Sequence, residues 1–351
     1  MATFSISDVT IKGITCCVPK NIAYNKDITI LSSEDISKFI ETTGVEERRV
    51  APEDMCSSDL CFEAASDLIT ELNWNKDDIE ILLFVSQTAD YILPVTSTIL
   101  QDRLGLSKNC IAFDIPLGCS GYVYGMSIIA GMMKSTGLKK GLLLAGDVLS
   151  HKINKNDKSA LPLFGDAASA TAFELEESTK PMLFDLGSDG SGYKSIMIPD
   201  GAGRNKASTA SFEDVLISEG ITRNKSQLGM DGMDVFSFGI SEVPKTVNKL
   251  LNFYDLDKEN IDHFVFHQAN MMMNKMITKK LKVPSEKVPY SLKFFGNTSS
   301  ATIPLTIVTA LKNAFIDKDK DLLLCGFGVG LSWGTARVNF QKQTLLRFIE
   351  L

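Results

Sequence analysis

A chain of 351 residues that is 44% hydrophobic and 23% charged can bury a core large enough for two domains, or for one fold built from two halves. Its net charge of −7 excludes a general nucleic-acid binder, because no global positive field exists to neutralise phosphates. An acidic partner would have to be met by a local basic patch.

The opening MATFSISDVTIKG has no basic stretch followed by an apolar one, and no uninterrupted apolar run of about 18 residues follows it. The expectation is a cytoplasmic chain that makes no membrane contact. Cysteines stand at positions 16, 17, 56, 61, 110, 119 and 325, an odd set without a C-x-x-C pair and mostly in apolar surroundings. That pattern argues against a disulfide framework and against a zinc site.

In chain order, short apolar runs alternate with helix-like segments, the pattern of an α/β protein. IEILLFVS (79–86) is the first clear strand. DIPLGCSGYVYGMSIIAGMM (114–133) follows, with a small-residue turn at Gly118-Cys119-Ser120 that opens an apolar, glycine-spaced helical segment. GLLLAGDV (141–148) is the next strand, and the Gly- and Ser-rich stretch 189–214 reads as a surface excursion rather than a tether. IDHFVFHQ (261–268) and DLLLCGFG (321–328) complete the series.

The chain also repeats itself. NKDDIEILLFV from Asn75 resembles DKENIDHFVFH from Asp257, and LLLAG from Leu142 resembles LLLCG from Leu322 at nearly the same separation. Gly118-Cys119-Ser120 and Gly296-Asn297-Thr298 stand almost the same distance apart, so Cys119 and Asn297 occupy corresponding turns. If the halves pack about a pseudo-two-fold axis, the two turns face each other, and His267 at the end of its strand can reach the same point.

Each of these residues has an ordinary alternative. A free cysteine is commonly a small buried hydrophobe. At the first turn of a helix, however, the macrodipole and free amides would lower its pKa. His267 could be a satisfied core histidine, or a metal ligand with His263 on the same strand face, although no further ligand types cluster near it. Asn297 could cap a helix or accept a glycan in N-x-S. GFGVGLSWGTARVNF (326–340) fails as a phosphate loop, since Leu331 stands at the third glycine position and the continuation is strand-like. A glycine loop between strands is better suited to bringing backbone amides near a reacting group.

Taken together, GCSGYVYG around Cys119, LFGDAASA from Leu163, HQAN from His267, GNTSSA from Gly296 and GFGVGLSWGTARV resemble the ketoacyl-acyl-carrier-protein synthase III family of thiolase-fold condensing enzymes. The likeness runs in the family's order from about TTGVEERRVA (42–51) to Phe340. It implies a five-layered αβαβα thiolase-like fold made of two duplicated halves, 1–175 carrying the cysteine and 176–351 carrying the histidine and asparagine. It also implies that Cys119 is acylated by a thioester, with the oxyanion held by the backbone amides of Cys119 and Val329. A malonyl thioester would then lose carbon dioxide and attack the acyl group, helped by His267 and Asn297.

The same resemblance implies acyl-CoA or acyl-carrier-protein and malonyl-carrier-protein as substrates, with no metal and no bound cofactor. The partners it implies are an acyl carrier protein and a second copy of the chain. Substrate and carrier contacts are assigned to Lys158, Lys275, Lys279, Lys280, Leu93 and Phe164, Leu93 reaching into the partner's acyl pocket. Lys275, Lys279, Lys280 and Lys282 form a basic segment that is equally readable as a solvated helix face. Lys38 and Thr42 stand where relatives clasp adenine with tryptophan and arginine, so carrier-bound primers are the expected preference, against which Met272 at the position of a docking arginine counts. Two alternatives are transfer of the Cys119-bound acyl group to an alcohol or amine, and a catalytically silent carrier-binding subunit.

Overall fold

Alternating strands and helices build two mixed β-sheets in the computed structural model, which describes residues 2–177, 179–315 and 317–351. The strands of these two sheets are β1 (Thr3–Ile6), β2 (Val9–Val18), β3 (Ile79–Val85), β4 (Ile111–Ile115), β5 (Lys140–Asp147), β6 (Ala167–Leu175), β7 (Met182–Ser188), β8 (His263–Phe266), β9 (Lys320–Gly328), β10 (Ser332–Phe340) and β11 (Leu345–Glu350), beside three two-stranded pairs in the loops. The six-stranded sheet has the order β11-β2-β6-β5-β3-β4 and the five-stranded sheet β1-β7-β10-β9-β8.

Four consecutive strands of the two orders match. β2, β6, β5 and β3 correspond to β7, β10, β9 and β8; within each set the last two run parallel and the other neighbours antiparallel. The two sequence repeats are therefore β3 with β8 and β5 with β9. The inner parallel strands are near-continuous apolar runs, as strands covered on both faces must be.

The helices are α1 (Ser33–Thr43), α2 (Ser57–Glu71), α3 (Thr96–Arg103), α4 (Gly121–Thr136), α5 (Gly232–Phe253), α6 (Met271–Leu281), the single turn α7 (Leu292–Phe295) and α8 (Thr302–Ala310). α4 and α8 pack between the sheets, α2 and α3 cover the outer face of the six-stranded sheet, and α5 and α6 cover the outer face of the other. The result is the αβαβα layering of the thiolase fold. Its central helices touch apolar strands on both sides, so α8, TIPLTIVTA, is buried nearly throughout.

The terminal strands cross between the halves. β1 pairs with β7 (Thr3 opposite Asp185), and β11 pairs with β2 (Leu345 opposite Gly13). Each large sheet thus takes an edge strand from the opposite end of the chain. Among the described residues no helix is long and apolar enough to cross a membrane. All seven cysteines are unpaired.

Candidate active site

Cys119 lies in the turn between β4 and α4, two residues before the helix begins, and is buried. The end of β9 passes directly over it. A Cβ on Gly326 would fall 2.6 Å from the Cys119 carbonyl oxygen, and one on Gly328 would fall 2.9 Å from Cys119 Sγ, so only glycine permits this approach. β9 then turns through 329–331 into β10 as an antiparallel hairpin, not into a helix. The backbone N–H groups of Val329 and of Cys119 itself both act on the sulfur.

His267 follows β8, and its backbone N–H donates to the Cys325 carbonyl at 2.8 Å. The ring is buried, lies 2.7 Å through Nδ1 from Thr302 Oγ1, and meets Phe327 edge-on at 5.4 Å between centroids. Burial pushes its pKa down to about 3, so the imidazole is neutral at physiological pH.

Asn297 is held by its backbone on both sides. Its N–H donates to Leu163 O at 2.9 Å, and its carbonyl accepts from Gly165 N–H at 3.1 Å, tying it to the LFGDAASA loop. Its side-chain oxygen accepts the Ser299 N–H at 2.9 Å, an Asx-type turn leading into the short helical turn Ser299–Ala301. The cap position itself belongs to Thr298, so Asn297 is not the helix cap that the sequence offered; the Asx turn leaves its side-chain NH2 for the cleft.

Cys119, His267, Asn297, Val329 and Phe164 all line one cleft of about 660 Å³. Its remaining walls are mostly apolar and include Leu149, Leu163, Val235 and Met273. Ile196 belongs to the 189–214 stretch and Leu228 and Met230 to the segment after it, and the pairing of Ile196–Met197 with Gly229–Met230 ties the two together. The 189–214 stretch is therefore more than a surface excursion, because its root forms a wall of the cleft.

The thiol does not rest at a lowered pKa. Burial, with the Asp147 carboxylate adding to it, pushes Cys119 up to about 12, against the pull of Ser299 and the two backbone amides. The local helix-terminus argument underestimated desolvation, which only the assembled core creates. Asp147, at the end of β5, is fully buried, and burial raises its pKa. It accepts from Gln87 N–H at 2.7 Å, Ser86 Oγ at 3.2 Å, and Ser300 N–H and Oγ at 3.2 and 2.7 Å. The buried Ser299 hydroxyl has no partner at hydrogen-bond distance, yet lies near enough to the thiol and to Asp147 to bias both.

The other residues singled out in the sequence lie outside this cleft. Lys158 shares a separate groove with Lys38 and Thr42, and Lys38 is paired there with Glu34 at 2.7 Å. Lys275 and Lys279 rim a second groove with Thr42, Met271, Met272 and Met276. Lys280 Nζ is tied to the Ile240 carbonyl at 3.0 Å, and Lys282 ends α6 with a φ of +54°. Leu93 is 81% exposed beside exposed Tyr91 and Ile92, away from the cleft of its own chain. Sequence reasoning did not single out Gln87, Asp147, Ser299, Thr302 or Phe327, although Asp147, Ser299 and Phe327 stood in stretches already under scrutiny.

Two repeated αβαβ halves whose equivalent turns bring a cysteine and an asparagine to one cleft, with a histidine at a strand end, define a thiolase-fold enzyme. The pattern of 3-oxoacyl-[acyl-carrier-protein] synthase III matches residues 113–190, and that of the same enzyme's C-terminal part matches residues 251–340. A beta-ketoacyl-[acyl-carrier-protein] synthase III of Listeria monocytogenes is 32% identical over 95% of this chain and 99% of its own. One from Clostridioides difficile is 34% identical over 85% of this chain and 88% of its own. The crystal structure of a 3-oxoacyl-(acyl-carrier protein) synthase from Burkholderia xenovorans superposes with a TM-score of 0.93 at 34% identity, covering 99% of both chains. This chain belongs to the beta-ketoacyl-acyl-carrier-protein synthase III family and is a condensing enzyme of that type.

Proposed function

We propose that the chain joins an acyl primer to a malonyl thioester in two half-reactions at the Cys119 cleft. In the first, Cys119 sulfur attacks the primer's thioester carbonyl; the carrier thiol leaves with the proton that the cysteine gives up, and the acyl group stays on Cys119. The N–H groups of Cys119 and Val329 hold the oxyanion. In the second, the malonyl thioester loses carbon dioxide and its enolate carbon attacks the acyl-enzyme. The Cys119–acyl thioester bond breaks, the departing thiolate takes a proton from solvent, and the products are carbon dioxide, a 3-oxoacyl thioester and free Cys119. His267 Nε2 and Asn297 Nδ2 donate to the thioester oxygen as enolate charge develops, and no redox step or electron carrier is required.

The observation that carries this reading is the Asn297 amide. Its oxygen is consumed by Ser299 N–H, so a donor is what remains for a cleft that also holds the sulfur and a neutral histidine. An apolar wall suits an alkyl chain, with Phe164 part of it. Either coenzyme A or an acyl carrier protein can deliver the primer, and the malonyl unit arrives on the carrier protein.

Lys275 and Lys279 would meet the acidic carrier at the methionine groove, with Lys158 adding charge from the separate groove that shares Thr42 and Lys280 from the last turn of α6. Exposed Leu93 supports a homodimer in which it closes the partner's acyl pocket. The halves 1–175 and 176–351 are proposed as the units of the duplication, and seven unpaired thiols suit a cytoplasmic setting. The test is intact-protein mass spectrometry after exposure to a panel of acyl thioesters, followed by malonyl-carrier protein. An acyl increment on the Cys119 peptide that the malonyl donor discharges as 3-oxoacyl product supports the reading; no increment with any primer refutes it.

A further inference from the structure

The His267 ring has a single hydrogen-bonding neighbour among the described residues, Thr302 Oγ1 at 2.7 Å from Nδ1. Nε2 is therefore the ring nitrogen left for the cleft. Whether Nε2 offers a proton or a lone pair depends on which way the threonine hydroxyl points, because a neutral imidazole carries one N–H.

Thr302 Oγ1 has one proton and two acceptors in reach, His267 Nδ1 at 2.7 Å and the Ser299 carbonyl at 3.0 Å. The Ser299 carbonyl already accepts the backbone N–H of Thr302, so it does not depend on the hydroxyl. Nδ1 has no other donor, and its contact is the shorter. Thr302 is itself fixed: it is buried at the start of α8, and its carbonyl accepts Thr306 Oγ1 at 2.8 Å.

We propose that Thr302 is a positioning residue that donates its hydroxyl proton to His267 Nδ1 and so holds the ring as the Nε2–H tautomer. The inference rests on the two-step reading above and adds the group that sets its histidine. One short turn then presets both donors. Ser299 N–H occupies the Asn297 oxygen, and two residues after Ser300, Thr302 O–H occupies His267 Nδ1. A histidine held this way enters the condensation as a donor and cannot take the Cys119 proton through Nε2, which assigns it to the second half-reaction.

The experiment uses the full chain with 15N-histidine, as wild type, Thr302→Ser and Thr302→Val. Nitrogen chemical shifts report the tautomer of His267 without any turnover. Wild type and Thr302→Ser should show a protonated Nε2 and a hydrogen-bonded, unprotonated Nδ1; in Thr302→Val the Nδ1 hydrogen bond should be gone. In single turnovers from preformed acyl-enzyme, Thr302→Val should lower the condensation rate about tenfold or more, since a misassigned histidine tautomer is costly even in intact geometry. The apparent KM for the malonyl donor and the rate of Cys119 acylation should change less than about threefold, and Thr302→Ser should restore the rate.

A protonated Nδ1 in wild type would overturn the proposal. So would condensation at the wild-type rate in Thr302→Val, or equal impairment in Thr302→Ser. If Thr302→Val does not fold, the wild-type tautomer and the serine variant still decide the matter. Absence of any acyl-enzyme in wild type would instead refute the two-step reading, and the tautomer measurement would stand apart from it.

Discussion

Ser299 N–H donates to Asn297 Oδ1 at 2.9 Å and thereby decides which end of the amide faces the cleft. Replacing the amide by a carboxylate keeps the size and the Ser299 bond but turns the donor into an acceptor. Asn297→Asp should therefore slow malonyl decarboxylation by on the order of 3 kcal/mol, the cost of losing one preorganised oxyanion donor. Cys119 should still be acylated. Rapid-quench measurement of the two half-reactions checks this; an aspartate variant that decarboxylates normally would remove Asn297 from the enolate site.

The two half-reactions should also differ in pH dependence. With the Cys119 thiol pushed up to about 12, the thiolate fraction is small and rises roughly tenfold per pH unit below that value. Acylation should climb steadily between about pH 6 and 9, since the thiolate is the nucleophile. His267 behaves oppositely. Its depressed value of about 3 means that acidifying from pH 8 to 5 does not charge it, so condensation from preformed acyl-enzyme should show no step near the ordinary histidine range. The same depression adds to stability above the unfolded histidine pKa and is lost as pH falls through the folded value. A plateau in acylation below pH 8, or a histidine-like step in condensation, would contradict this.

Asp147 and Cys119 are coupled through space. The carboxylate raises the thiol's pKa while accepting hydrogen bonds from Gln87 and Ser300. Asp147→Asn removes the charge, so the pH profile of Cys119 alkylation should move to lower pH. The exchange also puts an NH2 where donors converge, which should cost about 1–3 kcal/mol of stability in a denaturant titration. An unmoved alkylation profile in a folded variant would show that burial alone sets the thiol.

Lys275 and Lys279 rim the methionine groove near Thr42, whereas Lys280 is anchored to Ile240. Reversing the charge of the first two, Lys275→Glu with Lys279→Glu, should lower kcat/KM for a carrier-bound acyl group by about tenfold, as loss of complementary rim charge slows encounter. The same acyl group on coenzyme A should change little. Comparable losses on both carriers would place docking elsewhere.

Much of the fold was legible because the repeat was. NKDDIEILLFV and DKENIDHFVFH became β3 and β8, and matching LLLAG with LLLCG placed β5 against β9. Cys119, His267 and Asn297 were legible because the repeat put two of them on equivalent turns and the third at a strand end. What was missed depends on long-range packing. Thr302 acts on a ring 35 residues away, and Ile196, Leu228 and Met230 reach the cleft only through a loop closure that no periodicity announces. The thiol's raised pKa arises from burial by β9 and from Asp147, neither visible in the local helix signal. The exchanged edges pair far along the chain, β1 across about half of it and β11 across almost all of it.

The division of labour between Cys119 and His267 is tested most directly by one rapid-quench experiment on His267→Ala, following a radiolabelled acyl group from primer to enzyme to product. Cys119 should acylate within about threefold of the wild-type rate. Transfer to the malonyl-derived carbon should fall by at least about tenfold, so that labelled acyl-enzyme accumulates. Loss of acylation in parallel with condensation would contradict the account, because it would make His267 the group that removes the Cys119 proton.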